Sequence, residues 1–264
     1  MKGKRPLLNG IVNRIAQIGI ELEGGWDAPV AGEEIIRDGS VEFVPPLPMR
    51  RQPELIQGAD GQTVMVMRNV TTDAFPKYAF GEIVSQPMTV DGIEPWLRKC
   101  YPQHVNKTCG LHVHMSFAHK LNYSRLMTPD YTPFMVEALK GWARQQELKE
   151  DHPLWERLNN SNHKHCAHAF LADAQAMMKR KDYQSRGKSY SRYTFINYCA
   201  GQHNTVECRG LSMFNGPDAA ISAVMCVLDS TNRFLSKIRQ RERSSTVSVA
   251  EKGPVYQEIS GTIR

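Results

Sequence analysis

The sequence predicts an α+β fold, an antiparallel or mixed sheet with helices packed on one face. Three observations carry the prediction. Apolar and polar residues alternate in the first part of the chain, as strands require. The period becomes helical over Phe134 to Glu150, where Met135, Ala138, Leu139 and Trp142 share a face. Strand-like segments then return before one long helix.

Residues 1–10 read as a flexible lead. From Val12 to Glu23, Ala16, Ile18, Ile20 and Leu22 fall on one face, with Gln17, Gly19, Glu21 and Glu23 on the other. Gly24-Gly25 is expected to end this strand. Residues 28–62, rich in Pro, Gly and Gln, read as loops around a short strand at Val41 to Val44. Val64 to Val70 and Tyr78 to Ser85 are strand candidates. Ile93 to Cys100 reads as a short helix capped by Asp91, and Gly110 to Phe117 as another strand.

Further helices are expected over 154–158 and 169–178, a polar loop over 181–191, and strands near 193–199 and 204–210. Pro217 suits the first turn of the longest helix, drawn to Gln240, because its missing N–H has no partner there anyway. Ile221, Val224, Met225, Leu228, Leu235 and Ile238 form its apolar stripe. The division is a single domain over 11–243 and a mobile tail over 244–264.

Composition narrows the class. With 264 residues, 41% hydrophobic and 23% charged, the chain suits an ordinary globular protein. No apolar run approaches the roughly 18 residues of a membrane span, and the basic Met1 to Pro6 segment is not a secretion signal. Six cysteines without CxxC spacing read as reduced thiols of the cytoplasm. The net charge of +6 gathers at Lys179-Arg180-Lys181 with Arg186 and Lys188, and at Arg239 to Arg243. A solvated basic face accounts for this better than a nucleic-acid surface, and ATP or an acidic substrate would use such charge too.

Three segments carry the chemistry: Glu21-Leu22-Glu23, Cys109 to Ser116 with its His112 and His114, and Thr205-Val206-Glu207-Cys208-Arg209. Each sets polar side chains two residues apart in an apolar frame, so each pair shares one face of a strand. Paired carboxylates suit a hard divalent ion. Two imidazoles on one face suit a metal or a phosphate. A guanidinium grips phosphate or carboxylate through two parallel hydrogen bonds. Alone, Glu21 and Glu23 fit a charged strand edge better than a metal site, and Glu207 with Arg209 is more often a cross-strand ion pair.

Together, and in this order, the motifs resemble the amidoligase branch of the glutamine synthetase-like carboxylate–amine ligases. The resemblance rests on Gly19-Ile20-Glu21-Leu22-Glu23, Gly81-Glu82-Ile83-Val84-Ser85-Gln86-Pro87-Met88, Cys109-Gly110-Leu111-His112-Val113-His114, Arg192 to Asn197 and Thr205 to Gly210. It spans roughly residues 16–215, strong in the motifs and weak between them.

It implies a mostly antiparallel, curved, glutamine synthetase-like sheet. Glu21, Glu23, Glu82, His112 and Glu207 would ligate Mg2+, or Mn2+ in its place. His114, Ser116, Lys188 and Arg192 would face the ATP phosphates. Arg192 and Arg209 would neutralise the transferred phosphoryl group and the substrate carboxylate. The implied reaction joins a small-molecule, peptide or protein carboxylate to an amine through an acyl phosphate, giving a peptide or isopeptide-like amide. A homo-oligomer is compatible with this.

Three features depart from the family pattern. Only about fifteen residues precede the first site strand, so a separate N-terminal domain is not expected. Cys208 stands between Glu207 and Arg209 where phenylalanine is usual, and is expected to be a small buried residue. Glu42 is a weak candidate to partner Glu82. Asn197 matches a motif position without an assigned role. The His163, His165, Cys166 and His168 cluster fits no common zinc spacing and reads as a polar loop. Gly187-Lys188-Ser189 lacks the first glycine of a P-loop, since Asp182 holds that position. A binding protein that keeps this fold without catalysis, and a metal-dependent hydrolase, stay open as alternatives.

Overall fold

Strand β3, Ile15–Trp26, is the backbone of the site-bearing sheet, and its path departs from the expected one at both ends. The computed structural model describes residues 7–8, 11–36, 49–57, 63–71, 79–168, 193–199 and 205–251. In chain order the strands are β1 (Leu7–Leu8), β2 (Ile11–Val12), β3, β4 (Met49–Gln57), β5 (Thr63–Thr71), β6 (Ala79–Val84), β7 (Gly110–Phe117), β8 (Ile196–Cys199) and β9 (Thr205–Ser212). The helices are α1 (Val90–Cys100), α2 (Leu121–Leu126), α3 (Tyr131–Gln145), α4 (Pro153–Asn159) and α5 (Pro217–Glu251).

Five strands form one sheet in the order β6-β3-β7-β9-β8, every neighbouring pair antiparallel. This agrees with the α+β expectation. Strands β1 and β2 pair separately, as do β4 and β5.

The core face carries Ile18, Ile20 and Leu22 of β3, Leu111, Val113 and Met115 of β7, and Val206, Cys208 and Leu211 of β9, all buried. Burying each such aliphatic side chain stabilises the fold by about 1.5–3 kcal/mol. Helix α5 packs against α1, α2, α3 and β7. Polar pins join the layers: Tyr131 Oη to Thr231 Oγ1 at 2.7 Å, and Tyr198 Oη donating to the Leu126 carbonyl at 2.8 Å.

Two irregularities reset the strand alternation. In β3 the pairing shifts between Ile15 and Gln17, so Ala16 is the extra residue and is exposed rather than on the core face. In β9 the pairing with β7 steps from Leu111–Leu211 to Val113–Cys208. Arg209 and Gly210 therefore together oppose His112, and the apolar sequence passes from Cys208 to Leu211.

Gly24-Gly25 does not end β3. The strand runs through both and pairs with Gly81 and Phe80. Gly24 is there for close approach, because a Cβ on it would lie 2.4 Å from Pro102 Cβ and 3.0 Å from the His104 carbonyl oxygen.

Strand β4 falls inside the stretch read as loops. Arg50-Arg51-Gln52-Pro53-Glu54 shows no apolar alternation, and the ladder to β5 supplies the order that the side-chain pattern lacks. Residue Thr89, not Asp91, is the N-cap of α1. Helix α2 was not anticipated. Helix α3 starts three residues before Phe134 and stops at Gln145, with Glu147 in the left-handed region (φ 51°) just beyond. Helix α5 continues to Glu251, through the first part of the expected tail. The expected elements at 41–44, 169–178 and 181–191 lie outside the described residues. Among those residues, no helix is long and apolar enough to cross a membrane.

Candidate functional site

The face of the sheet opposite α5 is a polar wall. Glu21 and Glu23 stand on it from β3, His112 and His114 from β7, and Glu207 and Arg209 from β9. The ladder sets Glu21 across from His112, and His114 across from Glu207. Opposed residues share a face, so the two-residue spacing read in the sequence becomes one array.

Glu21 bridges both imidazoles. One carboxylate oxygen, Oε2, lies 2.9 Å from His112 Nδ1, and the other, Oε1, lies 2.9 Å from His114 Nε2. Glu207 Oε1 is 3.6 Å from His112 Nδ1 and 3.8 Å from His114 Nε2, and is also bonded by Arg209 Nη1 at 2.5 Å. Glu23 Oε1 is 3.7 Å from His112 Nε2, while its Oε2 accepts from the Gly110 N–H at 2.5 Å. His112 and Glu207 are almost wholly inaccessible, with 4% and 3% of their side chains exposed.

Burial works to raise the Glu21 carboxyl. The hydrogen bonds and charges of His112 and His114 outweigh it, holding that group well below the usual carboxylate range. Burial likewise opposes a charge on Glu207, but Arg209, His112 and His114 keep its pKa low. Burial disfavours a proton on His114, yet the hydrogen bond it donates to Glu21 and the charges of Glu207 and Glu21 raise its pKa above the ordinary imidazole value. The wall thus gathers cations around its carboxylates. Among the described residues, the fixed cations beside Glu21, Glu23 and Glu207 are Arg209 and, next to Glu23, Arg157, fewer than the three carboxylates, a deficit that a divalent ion would fill.

The donor set fits such an ion. One ligand atom each from Glu21, His112 and Glu207 lies within 4.8 Å of the other two, and the same holds for His114, Cys199 and Glu207. The carboxylate oxygens are ordinary donors for Mg2+ or Mn2+, and the imidazole nitrogens add donors that first-row transition ions favour.

The other expected residues divide. Glu82 is the ladder partner of Glu23, so it rises on the same face one strand further out. Ser116 lies two residues beyond His114, where its Oγ accepts from the Gln17 N–H at 3.1 Å beside the β3 bulge. Arg209 stacks over the Tyr193 ring at 5.9 Å, and its buried Nε has no hydrogen-bond partner among the described residues. Cys208 is fully buried on the core face, as expected. Glu42, Lys188 and Arg192 lie outside the described residues. In the histidine cluster, Cys166 Sγ meets His163 Nδ1 at 3.3 Å and His168 Nε2 meets the Arg157 carbonyl at 2.9 Å.

Four residues of the site were not anticipated as such. Asn197 donates to Glu207 Oε2 at 2.7 Å and to Cys199 Sγ at 3.2 Å. Thr205 Oγ1 lies 3.2 Å from His114 Nδ1. Arg157 of α4, only 2% exposed, donates to the carbonyls of Leu211 at 2.8 Å, Cys109 at 3.2 Å, Thr108 at 3.3 Å and Arg209 at 3.5 Å. It clamps the ends of β7 and β9 that carry His112 and Arg209. The spacing of Asn197, Cys199 and Thr205 was a readable signal; that of Arg157, in an ordinary amphipathic helix, was not. Two surface cavities, of about 250 and 550 Å³, lie on the helical side of the fold, away from the wall.

No family model, curated protein or solved structure matches this chain.

Proposed function

We propose that the wall is the active site of an ATP- and Mg2+-dependent carboxylate–amine ligase. The observation that carries this reading is the convergence of Glu21, His112 and Glu207 beside Arg209, a half-buried guanidinium whose Nε has no hydrogen-bond partner among the described residues. The sequence resemblance supplies the reaction class, and the array supplies groups suited to it.

Glu21, Glu23, Glu82, His112 and Glu207 would hold the ions. When bound, Mg2+ neutralises phosphoryl oxygens and polarises the phosphorus they surround. The chain itself provides a fixed cation at Arg209, whose charge is worth more on a desolvated wall than in water. The Arg157 clamp and the Gly110–Glu23 bond keep the β7 end of the array in place. His114, oriented through Nδ1 by Thr205, presents Nε2 to the wall.

In the reaction, a substrate carboxylate oxygen bonds to the γ-phosphorus of ATP as the bond to ADP breaks. An amine nitrogen then bonds to the carbonyl carbon, phosphate leaves with the C–O bond pair, and the nitrogen loses a proton. The chain needs no covalent nucleophile.

Hydroxylamine tests this directly, because it intercepts acyl phosphates as hydroxamates. The protein, ATP and Mg2+ with a panel of amino acids and peptides should give ADP and a hydroxamate only with the right carboxylate. Failure of every carboxylate to raise ADP release would overturn the reading. Cleavage of a peptide or amide without ATP would replace it with a metal-dependent hydrolase.

A further inference from the structure

We propose that Cys199, His114 and Glu207 form a second subsite on the wall, one that takes a thiophilic divalent cation of the Zn2+ class. The subsite shares Glu207 with the Mg2+ set of the ligase reading but does not rest on that reading, since it concerns which ion the neighbouring side chains select.

The three residues come from three adjacent strands, β8, β7 and β9. One ligand atom from each lies within 4.8 Å of the others. Cys199 Sγ is 3.7 Å from Glu207 Oε2, and both groups are buried. An ion holding its ligands at about 2.0–2.3 Å brings them to about 3.5 Å apart, a contraction within reach of side-chain rotation. A set of one sulfur, one nitrogen and one oxygen is foreign to Mg2+, which takes oxygen in strict octahedral geometry. It suits Zn2+ and its neighbours, whose open sites keep three protein ligands and a free fourth position.

The surroundings are built for the same purpose. A ligating imidazole normally has its second nitrogen fixed by an outer partner. His114 has this, with Nδ1 on Thr205 Oγ1 at 3.2 Å and Nε2 facing the carboxylates. Asn197, 94% buried, holds two of the three ligands through one amide nitrogen, at 2.7 Å from Glu207 and 3.2 Å from Cys199. Its carboxamide oxygen is buried and has no hydrogen-bond partner among the described residues. A buried acceptor left open costs stability. A water or hydroxide on the free position of the ion would satisfy it. A thiol binds such an ion as thiolate, so binding releases the Cys199 proton.

Cobalt reads the thiolate optically. Titrating the full chain with Co2+ should produce a thiolate-to-metal charge-transfer band that saturates at one equivalent and is bleached by Zn2+. Cys199→Ser should abolish the band and weaken Zn2+ binding by more than about 100-fold, beyond the effect of an outer-shell change. Cys166→Ser, outside the wall, should leave both intact. Absence of the band in the parent protein, or its survival in Cys199→Ser, would overturn the proposal. Should Cys199→Ser not fold, X-ray absorption at the zinc edge of the loaded parent protein decides. One sulfur at about 2.3 Å supports the subsite, and a shell without sulfur rejects it.

Discussion

Asn197 stands directly across from Glu207 in the β8–β9 ladder, and its Nδ2 donates to Glu207 Oε2 at 2.7 Å. The bond leaves a buried carboxylate satisfied at one oxygen by a neutral donor and at the other by Arg209. Asn197→Ala removes the donor and leaves Glu207 under-bonded. A hydrogen bond to a charged group contributes about 1.5–3 kcal/mol, so the urea midpoint should fall accordingly. A midpoint unchanged from the parent would mean that solvent replaces the amide.

Glu21 is the residue on which both imidazoles close. Glu21→Gln keeps its shape and removes its charge. Divalent-ion affinity, followed by isothermal titration with Mg2+ or Mn2+, should drop by at least about 100-fold, since even outer-shell substitutions reach that range. Carboxylate-dependent ADP release should disappear with it, while far-ultraviolet circular dichroism stays as in the parent. Retained affinity would remove Glu21 from the ligand set.

Arg157 is a buried cation whose hydrogen bonds go to main-chain carbonyls of β9 and of the residues just before β7. Arg157→Met fills the space and leaves those carbonyls without the guanidinium. The loss should be at least about 3 kcal/mol in chemical denaturation. Amide exchange should accelerate first at Leu111 to Val113 and Arg209 to Leu211. Uniform acceleration across the sheet would count against a local clamp.

Gly24→Ala tests the tight passage of β3 beneath Pro102. The added carbon would meet a proline ring and a backbone carbonyl, neither of which turns aside easily. Overpacking of this kind costs about 1–3 kcal/mol, so a lowered melting temperature is expected. Gly216→Ala, with open space around it, is the control that should change little.

His163 sets a pH dependence. Burial, with the charge of Arg157, lowers its pKa to about 4. In the unfolded chain an imidazole titrates near 6.5. The folded state therefore resists a proton that the unfolded state accepts. Its stability is full above about pH 6.5 and is lost as the pH falls toward 4. Urea midpoints measured across this window should decline in the parent and flatten in His163→Gln. Equal slopes in the two proteins would exclude His163 as the source.

The wall was legible wherever chemistry repeated at a spacing of two. Strand β7 was read to the residue because His112 and His114 alternate with Leu111, Val113 and Met115. The same rule misplaced Ala16, because a bulge changes the parity and leaves no composition signal. Gly24-Gly25 looked like punctuation, since a sequence does not show that Pro102 will press on the strand. Strand β4 was hidden because Arg50-Arg51-Gln52-Pro53 shows no apolar alternation, and its ladder to β5 leaves no mark in composition. Cys199 was read only as one of six reduced thiols, although its spacing from Asn197 put both on one face. Arg157 left no trace, because its partners are carbonyls from distant segments.

The bulge at Arg209 and Gly210 makes the wall sensitive to odd and even counts. A single residue added within β7 upstream of His112 would turn both imidazoles into the core and push aliphatic side chains toward the carboxylates. Two added residues would restore the facing but break the match to the bulge. Variation in length is therefore tolerable between the strands and forbidden within them. A natural variant of this chain that kept the chemistry would be recognisable by that arithmetic even where little else was shared.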